Sequence, residues 1–527
     1  MSAARPAAPA ASGQAGDQVP VAVARRGAIG LAAAGVSVAL AITVAALGPS
    51  VMEPALPGRP GQPPWSFAAH PSPYLAVALA GAAIVAGTAG LGLSLDAIRR
   101  GWRVSPGIIV VAGIVGAIAL ALLPPFGSSD HLSYAAYGRM AITGHDPYTT
   151  TPAALAKLGD PIAAAVQDWR NSPSVYGSLA VAGQALSAKI GGGSVRLIVF
   201  MLSMLNLIAF LLTGLLLHWL GRGDPGRQLR AALLWTANPL MLMVLVAGAH
   251  VDSQAIMFSV GAVAVAMAGA RAGASGRGQL TQQALIAAGA GALIGLGFAI
   301  KVTTALVGAG IAIGILLTWR RERSAGQVSG WRRSAAVLGG LAVGFCVTAA
   351  VSLVPWGVGA FGPALRAGRY VSIGSPWRAI RSALRLVIGE GGAESVIRAG
   401  ALLLAVVLLV LLLRHYARVS DQLLTAGAFA VVFAWLLAWP YVLPWYDGLG
   451  WALLALLPAS RLDWLLLART AALAIGYLPA RGIVLPGGLR WLETVVRTAI
   501  TPAVLLAVLI AVLAWLWPRT QRLAVTP

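Results

Sequence analysis

The sequence predicts an all-α, polytopic membrane protein, and three observations lead to this fold class. Of the 527 residues, 58% are hydrophobic and 10% are charged, whereas about a quarter of a typical soluble domain is charged. Many apolar runs reach the roughly 20 residues that a helix needs to cross a bilayer. Polar, arginine-containing loops separate these runs. Because a chain in lipid must satisfy its own backbone hydrogen bonds, we interpret the runs as helices and exclude a soluble protein with a large core.

The net charge of +22 and the single cysteine narrow the classes of function. Arginine-rich short loops fix topology on the cytoplasmic side of a membrane, so the charge does not by itself indicate nucleic-acid binding. Cys346, inside an apolar run, is the only cysteine, and a single cysteine excludes an intrachain disulfide and a cysteine metal site. The segment 1–26, rich in Ala, Pro, Gly and Ser, predicts a disordered cytoplasmic N-terminus before an uncleaved first span.

One membrane domain is predicted over residues 27–517, with a cytoplasmic tail at 518–527. We count fourteen candidate spans, near 27–48, 74–95, 107–125, 195–217, 231–249, 253–270, 282–300, 302–319, 334–355, 397–413, 422–443, 447–459, 464–480 and 498–517. With the N-terminus in the cytoplasm, every short loop on that side carries arginine, as the positive-inside rule requires. The long, polar loops 126–194 and 356–396 then lie outside, so we expect function on the extracytoplasmic face of the plasma membrane.

The loop 126–194 is predicted to form short interfacial helices. Its first helix has three candidate N-caps, Ser128, Ser129 and Asp130, and Gly144 is placed to end it. One face of this helix carries Tyr134, Tyr137 and Ala141 at helical spacing, so we expect that face to lie on the membrane surface.

Asp130 is the candidate catalytic group of this loop. It follows the third span directly, at the outer boundary of the membrane, where a partly desolvated carboxylate can act as a general base. The alternative is that its carboxylate only caps the following helix.

Two further polar groups interrupt apolar runs at the same face. Asn238-Pro239 loosens the fifth span near its middle, and His250 and Asp252 follow at its outer end, where they can bind sugar hydroxyls. Lys301 stands alone between two apolar runs, and its ammonium suits a phosphate oxygen at headgroup level. The alternatives are an ordinary turn capped by Asp252 and a lysine that reaches the interface.

The outer loop 356–396 is basic: it contains Arg366 and Arg369, and it carries a basic stripe of three further arginines. Arg378, Arg381 and Arg385 have i, i+3, i+7 spacing, which places them on one face of a helix. A departing phosphate needs such cations, because charge develops on its oxygens as the bond breaks. Binding of anionic lipid headgroups is the alternative. The aromatic segment 439–447 is typical of an interfacial belt, although Asp447 within it can contact a polar acceptor.

Four stretches, in this order over about residues 100–460, carry a resemblance to a known family. They are Ser129-Asp130-His131-Leu132-Ser133-Tyr134 with Gly144-His145-Asp146-Pro147-Tyr148, Asn238-Pro239-Leu240 with Gly248-Ala249-His250-Val251-Asp252, Ala299-Ile300-Lys301-Val302-Thr303, and Leu443-Pro444-Trp445-Tyr446. The sequence resembles the GT-C superfamily of polyprenol-phosphate-sugar-dependent glycosyltransferases. Within it, the sequence is most similar to the actinobacterial polyprenol-phosphomannose-dependent α-1,6-mannosyltransferases of the MptA/MptB type.

The resemblance implies a GT-C fold and an inverting mannosyl transfer to a mannan or lipoglycan acceptor such as lipomannan, with Asp130 as the catalytic residue. We expect Lys301, Arg378, Arg381 and Arg385 to bind the phosphate of a polyprenol-linked donor. Contacts with sugar or acceptor are expected from His131, Tyr134, Asp146, Tyr148, His250, Asp252, Trp445 and Tyr446. No cofactor or metal is required, because the arginines can supply the positive charge.

Two alternatives stay open at this point. One is a related transferase that uses polyprenol-phosphate arabinose or glucose. The other is a transporter or flippase for lipid-linked sugars, although inverted repeats and polar groups at the midplane of the bilayer, which transporters show, are not evident in the sequence.

Overall fold

The computed structural model describes residues 20–271, 279–326, 330–479 and 482–517, and within these ranges the protein is helical without a β-strand. The predicted all-α class is therefore confirmed. The predicted tail 518–527 and most of the predicted N-terminal segment lie outside the described residues. The first helix begins at Val21, so it already includes the end of the segment 1–26 that was predicted to be disordered.

The helices up to the middle of the chain are α1 (Val21–Leu47), α2 (Pro73–Arg99), α3 (Pro106–Ala121), α4 (Asp130–Ile142), α5 (Pro152–Lys157), α6 (Pro161–Ala164), α7 (Ser178–Gly191), α8 (Val195–Leu220), α9 (Pro225–Leu234) and α10 (Pro239–Met241). The remaining helices are α11 (Asp252–Arg271), α12 (Gln279–Phe298), α13 (Ala305–Ser324), α14 (Gly330–Leu353), α15 (Gly362–Ala367), α16 (Trp377–Val419), α17 (Leu423–Ala438), α18 (Asp447–Leu454), α19 (Leu462–Gly476) and α20 (Thr501–Leu516).

Ten helical segments of the described chain have the length and the apolar composition to cross a membrane. They are Val21–Leu47, Pro73–Arg99, Val195–Leu220, Pro225–Ala247, Asp252–Arg271, Gln279–Phe298, Val302–Ser324, Gly330–Leu353, Trp377–Val419 and Gly487–Leu516. The other four predicted spans are also helical, but α3 and α17 have 16 residues, α19 has 15 and α18 has 8. Prolines follow three of these shorter helices closely, namely Pro124 after α3, Pro440 after α17 and Pro458 after α18.

The predicted break at Asn238-Pro239 is confirmed. Helix α9 ends at Leu234, and the Asn238 carboxamide oxygen caps the next helix by accepting from the amides of Leu240 (3.0 Å) and Met241 (3.3 Å). The chain continues as a π-helix over Leu242–Ala247. Such wider turns often occur at functional sites.

Small residues set the closest helix contacts of the bundle. Helices α12 and α14 pack along most of their length, and a Cβ added at Gly344 would stand 1.9 Å from the Ala288 carbonyl oxygen. Close approach of backbones through such residues is the usual way in which membrane helices associate, since lipid offers little hydrophobic driving force.

An outer layer made of α4, α5, α6 and α7 covers one end of the bundle. Backbone bonds attach it: the Gly177 amide donates to the Ile300 carbonyl (3.0 Å) and the Leu179 amide donates to the Ala299 carbonyl (2.8 Å). Helix α4 begins at Asp130 and ends before Gly144, whose φ is +80°, as predicted.

The expected membrane-facing side of α4 is a correction. Tyr134 and Tyr137 are buried inside the protein, because α7 and α8 pack against this helix. The spacing identified an apolar face correctly, but that face is covered by protein rather than by lipid.

The predicted cytoplasmic loops meet at the other end of the bundle, which we call the inner end. There Arg230, at the start of the fifth predicted span, contacts Asp463 at 2.6 Å, and Arg99 lies 3.5 Å from the same carboxylate. Arg321 pairs with Asp421 at 3.2 Å at the same end. The loops that carry Asp130, His250 and Lys301 lie together at the opposite end, which we call the outer end.

We expect the buried pair at the inner end to be needed for stability. Arg230→Met should lower the free energy of unfolding by about 3–5 kcal/mol, because it leaves the Asp463 carboxylate, 1% exposed, with only the more distant Arg99. The double variant Arg230→Met/Asp463→Leu should lose less. Thermal unfolding in detergent measures both, and equal losses in the single and double variants would contradict this account.

Candidate active site

A cavity of about 810 Å³ opens at the outer end. Its walls come from α4, from the loop that follows Trp169, from the segment after α12, from α15 and from the aromatic stretch that ends at Tyr446. The charged residues in its lining are Asp130, Lys301, Arg366, Arg369 and Arg398. One carboxylate therefore shares this cavity with four cationic side chains.

Asp130 is held at the wall of the cavity by the start of α4. Its amide donates to Ser128 Oγ at 3.1 Å, and as the first residue inside the helix it does not occupy the cap position. Its side chain is 15% exposed. Burial, and then the nearby Asp168 carboxylate, raises the pKa of Asp130 to about 7, although Lys301 acts in the opposite direction. A carboxyl group with such a pKa can exchange a proton near neutral pH.

His250 lies behind Asp130 rather than in the cavity. Its Nδ1 is 3.7 Å from Asp130 Oδ2, and its ring stacks on Trp445 with centroids 3.6 Å apart and an angle of 17° between the planes. Burial, followed by the proximity of Lys301 and His131, holds the pKa of His250 well below its usual range. The ring is 1% exposed and lies against Asp130, outside the lining of the cavity.

Lys301 and Asp252 form an ion pair on the floor of the site. Lys301 follows the end of α12 in extended backbone, and its Nζ lies 2.5 Å from Asp252 Oδ1. The same ammonium lies 4.0 Å from the centroid of the Tyr446 ring, a cation–π contact. Lys301 thus faces the cavity with its charge largely balanced, and Asp252 is a partner of the lysine as well as the first residue of α11.

Asp168 and Trp169 belong to the site although the sequence analysis did not single them out. Asp168 accepts hydrogen bonds from the Ser129 hydroxyl and from the Gly482 amide (3.1 Å), which joins two outer loops. Trp169 has φ +60°, stacks on Tyr370 with centroids 6.0 Å apart, and its side chain hydrogen-bonds Asp130. Nothing in the local sequence signals the left-handed backbone that turns Trp169 inward.

The predicted basic stripe does not line the cavity. Arg381 pairs with Glu390, Arg385 lies 3.0 Å from the same carboxylate, and Arg378 is exposed on the helix surface. The helix breaks at Gly389, whose φ is +70°, so the stripe belongs to a separate outer segment of α16.

The arginines that do line the cavity come from elsewhere in the same region: Arg366 in α15, Arg369 just after it, and Arg398 in the second segment of α16. In the described ranges no ion pair is found for any of these three. Their charges are therefore available to an anionic ligand.

The remaining predicted residues divide between the cavity and its supports. Tyr134, Trp445 and Tyr446 line the cavity, and Tyr134 accepts a hydrogen bond from the Tyr176 hydroxyl at 3.3 Å. Three others do not line it. Their positions are as follows: Asp146 Oδ1 accepts from the Tyr148 amide at 2.8 Å, Tyr148 packs on Trp356, and His131 is fully buried.

Asp447 is a further correction. It was expected to be able to contact an acceptor, but it is 0% exposed and forms an ion pair with Arg469 inside the helix bundle. The Thr470 hydroxyl also donates to it, at 2.8 Å. Asp447 therefore links α18 to α19 below the site. In the described part of the chain, no group of three or more His, Cys, Asp or Glu side chains has the arrangement of a metal site.

Comparisons with known proteins agree with the resemblance that the motifs suggested. A family model described as "Alpha-(1->6)-mannopyranosyltransferase, N-terminal domain" matches residues 32–317, more than half of the chain. This match includes Asp130, His250, Asp252 and Lys301. No solved structure matches the chain significantly.

Three curated relatives are similar over a shorter stretch. A probable alpha-(1->6)-mannopyranosyltransferase of Mycolicibacterium smegmatis is 33% identical over 139 residues, 25% of this chain and 24% of the relative. An alpha-(1->6)-mannopyranosyltransferase of Mycobacterium tuberculosis is 31% identical, over 25% of this chain and 23% of the relative. Alpha-(1->6)-mannopyranosyltransferase A of Corynebacterium glutamicum is 28% identical, over 26% and 27%. The aligned stretches thus span about a quarter of each relative.

The geometry around Asp130 yields a prediction about its protonation. Asp168→Asn should lower the pKa of Asp130 from about 7 towards its ordinary value, because a negative neighbour that disfavours the charged carboxylate is removed. Infrared titration of the protonated-carboxyl band measures this pKa, and Asp130→Asn identifies the band by removing it. An unchanged or higher pKa in the Asp168 variant would contradict the electrostatic coupling.

Proposed function

The chain belongs to the MptA/MptB family of alpha-(1->6)-mannopyranosyltransferases, and from this membership we propose that it transfers mannose from polyprenol-phosphate-mannose to a mannan or lipoglycan acceptor. The observation that carries the proposal is the shared cavity. In it the Asp130 carboxyl group, with a pKa of about 7, lies with arginines that form no ion pair within the described ranges.

The proposed reaction is a single displacement at the anomeric carbon. Asp130 accepts the proton of an acceptor hydroxyl, whose oxygen attacks the anomeric carbon from the face opposite the phosphate. The bond between that carbon and the phosphate oxygen breaks, and its electron pair leaves with the polyprenyl phosphate. The configuration at the anomeric carbon is therefore inverted, and the proton ends on the Asp130 carboxylate.

The second requirement of this step is stabilisation of the negative charge on the leaving phosphate. We assign this role to Arg366, Arg369 and Arg398, which line the cavity and form no ion pair in the part of the chain that the structure describes. The stripe on the outer segment of α16 does not line the cavity. Arginine forks match phosphate oxygens in a bidentate manner. Lys301 adds a further donor at the cavity floor, since its pairing with Asp252 uses one of three ammonium hydrogens.

The membrane setting supports the same proposal. The arginine-rich loops at the inner end favour a cytoplasmic location for that end, so the cavity would face the extracytoplasmic side of the plasma membrane. Ten helical segments of the described chain are long and apolar enough to cross a membrane, and a polyprenol donor dissolved in the outer leaflet would reach the arginines sideways. We therefore propose a multi-pass enzyme whose partners are a lipid-linked sugar, a glycan acceptor and membrane lipids, without nucleic acid.

The decisive experiment offers polyprenol-phosphate-mannose and an oligomannoside acceptor to the purified protein and determines the product linkage by mass spectrometry. Asp130→Asn should reduce transfer by at least about 100-fold, since general bases contribute roughly 10²–10⁴-fold. Asp421→Asn, a fully exposed carboxylate at the inner end, is the matched control and should retain activity.

The pH dependence of the transfer rate is a second test of Asp130 as the base. The wild-type rate should fall about tenfold per pH unit below pH 7, because the base must be deprotonated to act. Near-normal transfer by Asp130→Asn would reject the assignment of the base. Movement of labelled donor across proteoliposomes without a new glycosidic bond would support a transporter instead.

The two sets of arginines allow a direct comparison. Arg366→Gln, Arg369→Gln or Arg398→Gln should each lower kcat/KM for the donor by about tenfold or more, the effect of losing a hydrogen bond to a charged group. The matched controls are Arg378→Gln, Arg381→Gln and Arg385→Gln. Larger donor effects in the control set would restore the stripe as the phosphate site.

A further inference from the structure

We propose that Asn206, in helix α8, is a positioning residue that keeps His250 beside Asp130 by holding the backbone turn at Ala249. The catalytic part of this inference rests on the proposed function, whereas the structural part does not. Asn206 is not among the residues that the motifs indicated, and it does not touch the cavity.

The turn at Ala249 needs a restraint. Ala249 has φ +51°, the left-handed region that residues with a Cβ avoid. Glycine would adopt this backbone freely, but the chain has alanine here, and it is fully buried. Such strained residues persist only where their surroundings hold them, and they cluster at functional sites.

The restraint is a pair of short hydrogen bonds across helices. Asn206 Nδ2 donates to the Ala249 carbonyl at 2.7 Å, and Asn206 Oδ1 accepts from Gln254 Nε2 at 2.7 Å. The second bond fixes which way the Asn206 amide points, so its nitrogen faces the strained turn. Asn206 is 2% exposed within a membrane-spanning helix, a place where a polar side chain is costly and is usually retained for function.

The residues on both sides of Ala249 carry the restraint to the site. A Cβ at Gly248 would stand 2.6 Å from the Val244 carbonyl and 2.7 Å from the His250 ring, so the turn is tightly packed before the histidine. The His250 amide donates to the Leu245 carbonyl at 3.1 Å, which closes the π-helix.

The end of this path is the candidate base. The His250 ring is pressed flat on Trp445, and its Nδ1 edge faces Asp130 at 3.7 Å. If the turn at Ala249 relaxed, the ring would leave this place, and water would reach the buried side of Asp130. The carboxylate would then lose both its orientation and part of the desolvation that raises its pKa.

The test combines a variant that removes the restraint on the turn with a second substitution that should make the restraint unnecessary. Asn206→Leu removes both hydrogen bonds at similar volume, and Ala249→Gly removes the backbone strain that the bonds oppose. We expect Asn206→Leu to lower kcat by about 10- to 100-fold, the range typical of a small misplacement of a catalytic group, with less change in KM. The acidic limb of its pH profile should move to lower pH. The double variant Asn206→Leu/Ala249→Gly should recover most of the lost kcat, and the acidic limb of its pH profile should return most of the way to the wild-type position.

A chemical readout makes the test independent of catalysis. Diethyl pyrocarbonate modifies accessible imidazoles, and peptide mapping by mass spectrometry reports each histidine separately. His250, 1% exposed, should be protected in the wild type, modified in Asn206→Leu, and protected again in the double variant. This pattern would support the restraint even if the transferase assay detected no mannose transfer. His250 protected in Asn206→Leu, with unchanged kcat, would overturn it.

Controls separate positioning from general stability. Thr213→Val, at another buried polar residue of α8, removes a bond within the helix to the Ala209 carbonyl (2.8 Å) and should leave the pH profile unchanged. If Asn206→Leu does not fold, Gln254→Leu releases the Asn206 amide without altering α8, and should give the same changes at smaller size. A pH profile that moves equally in Thr213→Val, or loss of activity in Asn206→Leu that Ala249→Gly does not repair, would also overturn the proposal.

Discussion

The ion pair between Lys301 and Asp252 is the interaction on which the outer end of the protein depends. It joins the start of α11 to the segment after α12, and it balances two charges at a depth where either alone would be costly. The pair also acts on its surroundings. Lys301 opposes the rise in the pKa of Asp130, whereas Asp252 adds to it. Because the lysine is already balanced, the positive field of the cavity comes mainly from Arg366, Arg369 and Arg398.

The sequence was most informative where polar residues interrupt apolar runs. Asp130, His250 and Lys301 each lie at the end of such a run. Ionisable residues in the membrane are costly, so their presence usually indicates a functional site. Their placement at one end followed from counting spans. Two predicted spans separate Asp130 from His250 and two more separate His250 from Lys301, and an even number of crossings returns the chain to the same side. The break at Asn238 was equally legible, since proline cannot continue a helix. The family motifs added the order of these groups but no distances.

Other parts of the site could not be predicted, for physical reasons. Helical spacing shows that Arg378, Arg381 and Arg385 share a face, but it does not show which part of the protein that face contacts. In the structure, Arg381 and Arg385 form ion pairs with Glu390. The contribution of Asp168 depends on tertiary contact with Ser129 and Gly482, which spacing does not encode. The covered face of α4 illustrates the same limit: an apolar stripe indicates burial but does not distinguish lipid from protein.

The composition of the cavity wall has a consequence for selectivity. Its lining contains guanidinium groups and also the rings of Trp435, Trp439 and Tyr441. Guanidinium groups recognise an anion whatever sugar is attached to it. Aromatic rings instead favour the patch of C–H groups on one side of a pyranose, and the shape of that patch differs between epimers. In the proposed reaction, discrimination among carbohydrates that share one lipid carrier would therefore evolve through exchanges of aromatic residues, while the anion cradle stays constant.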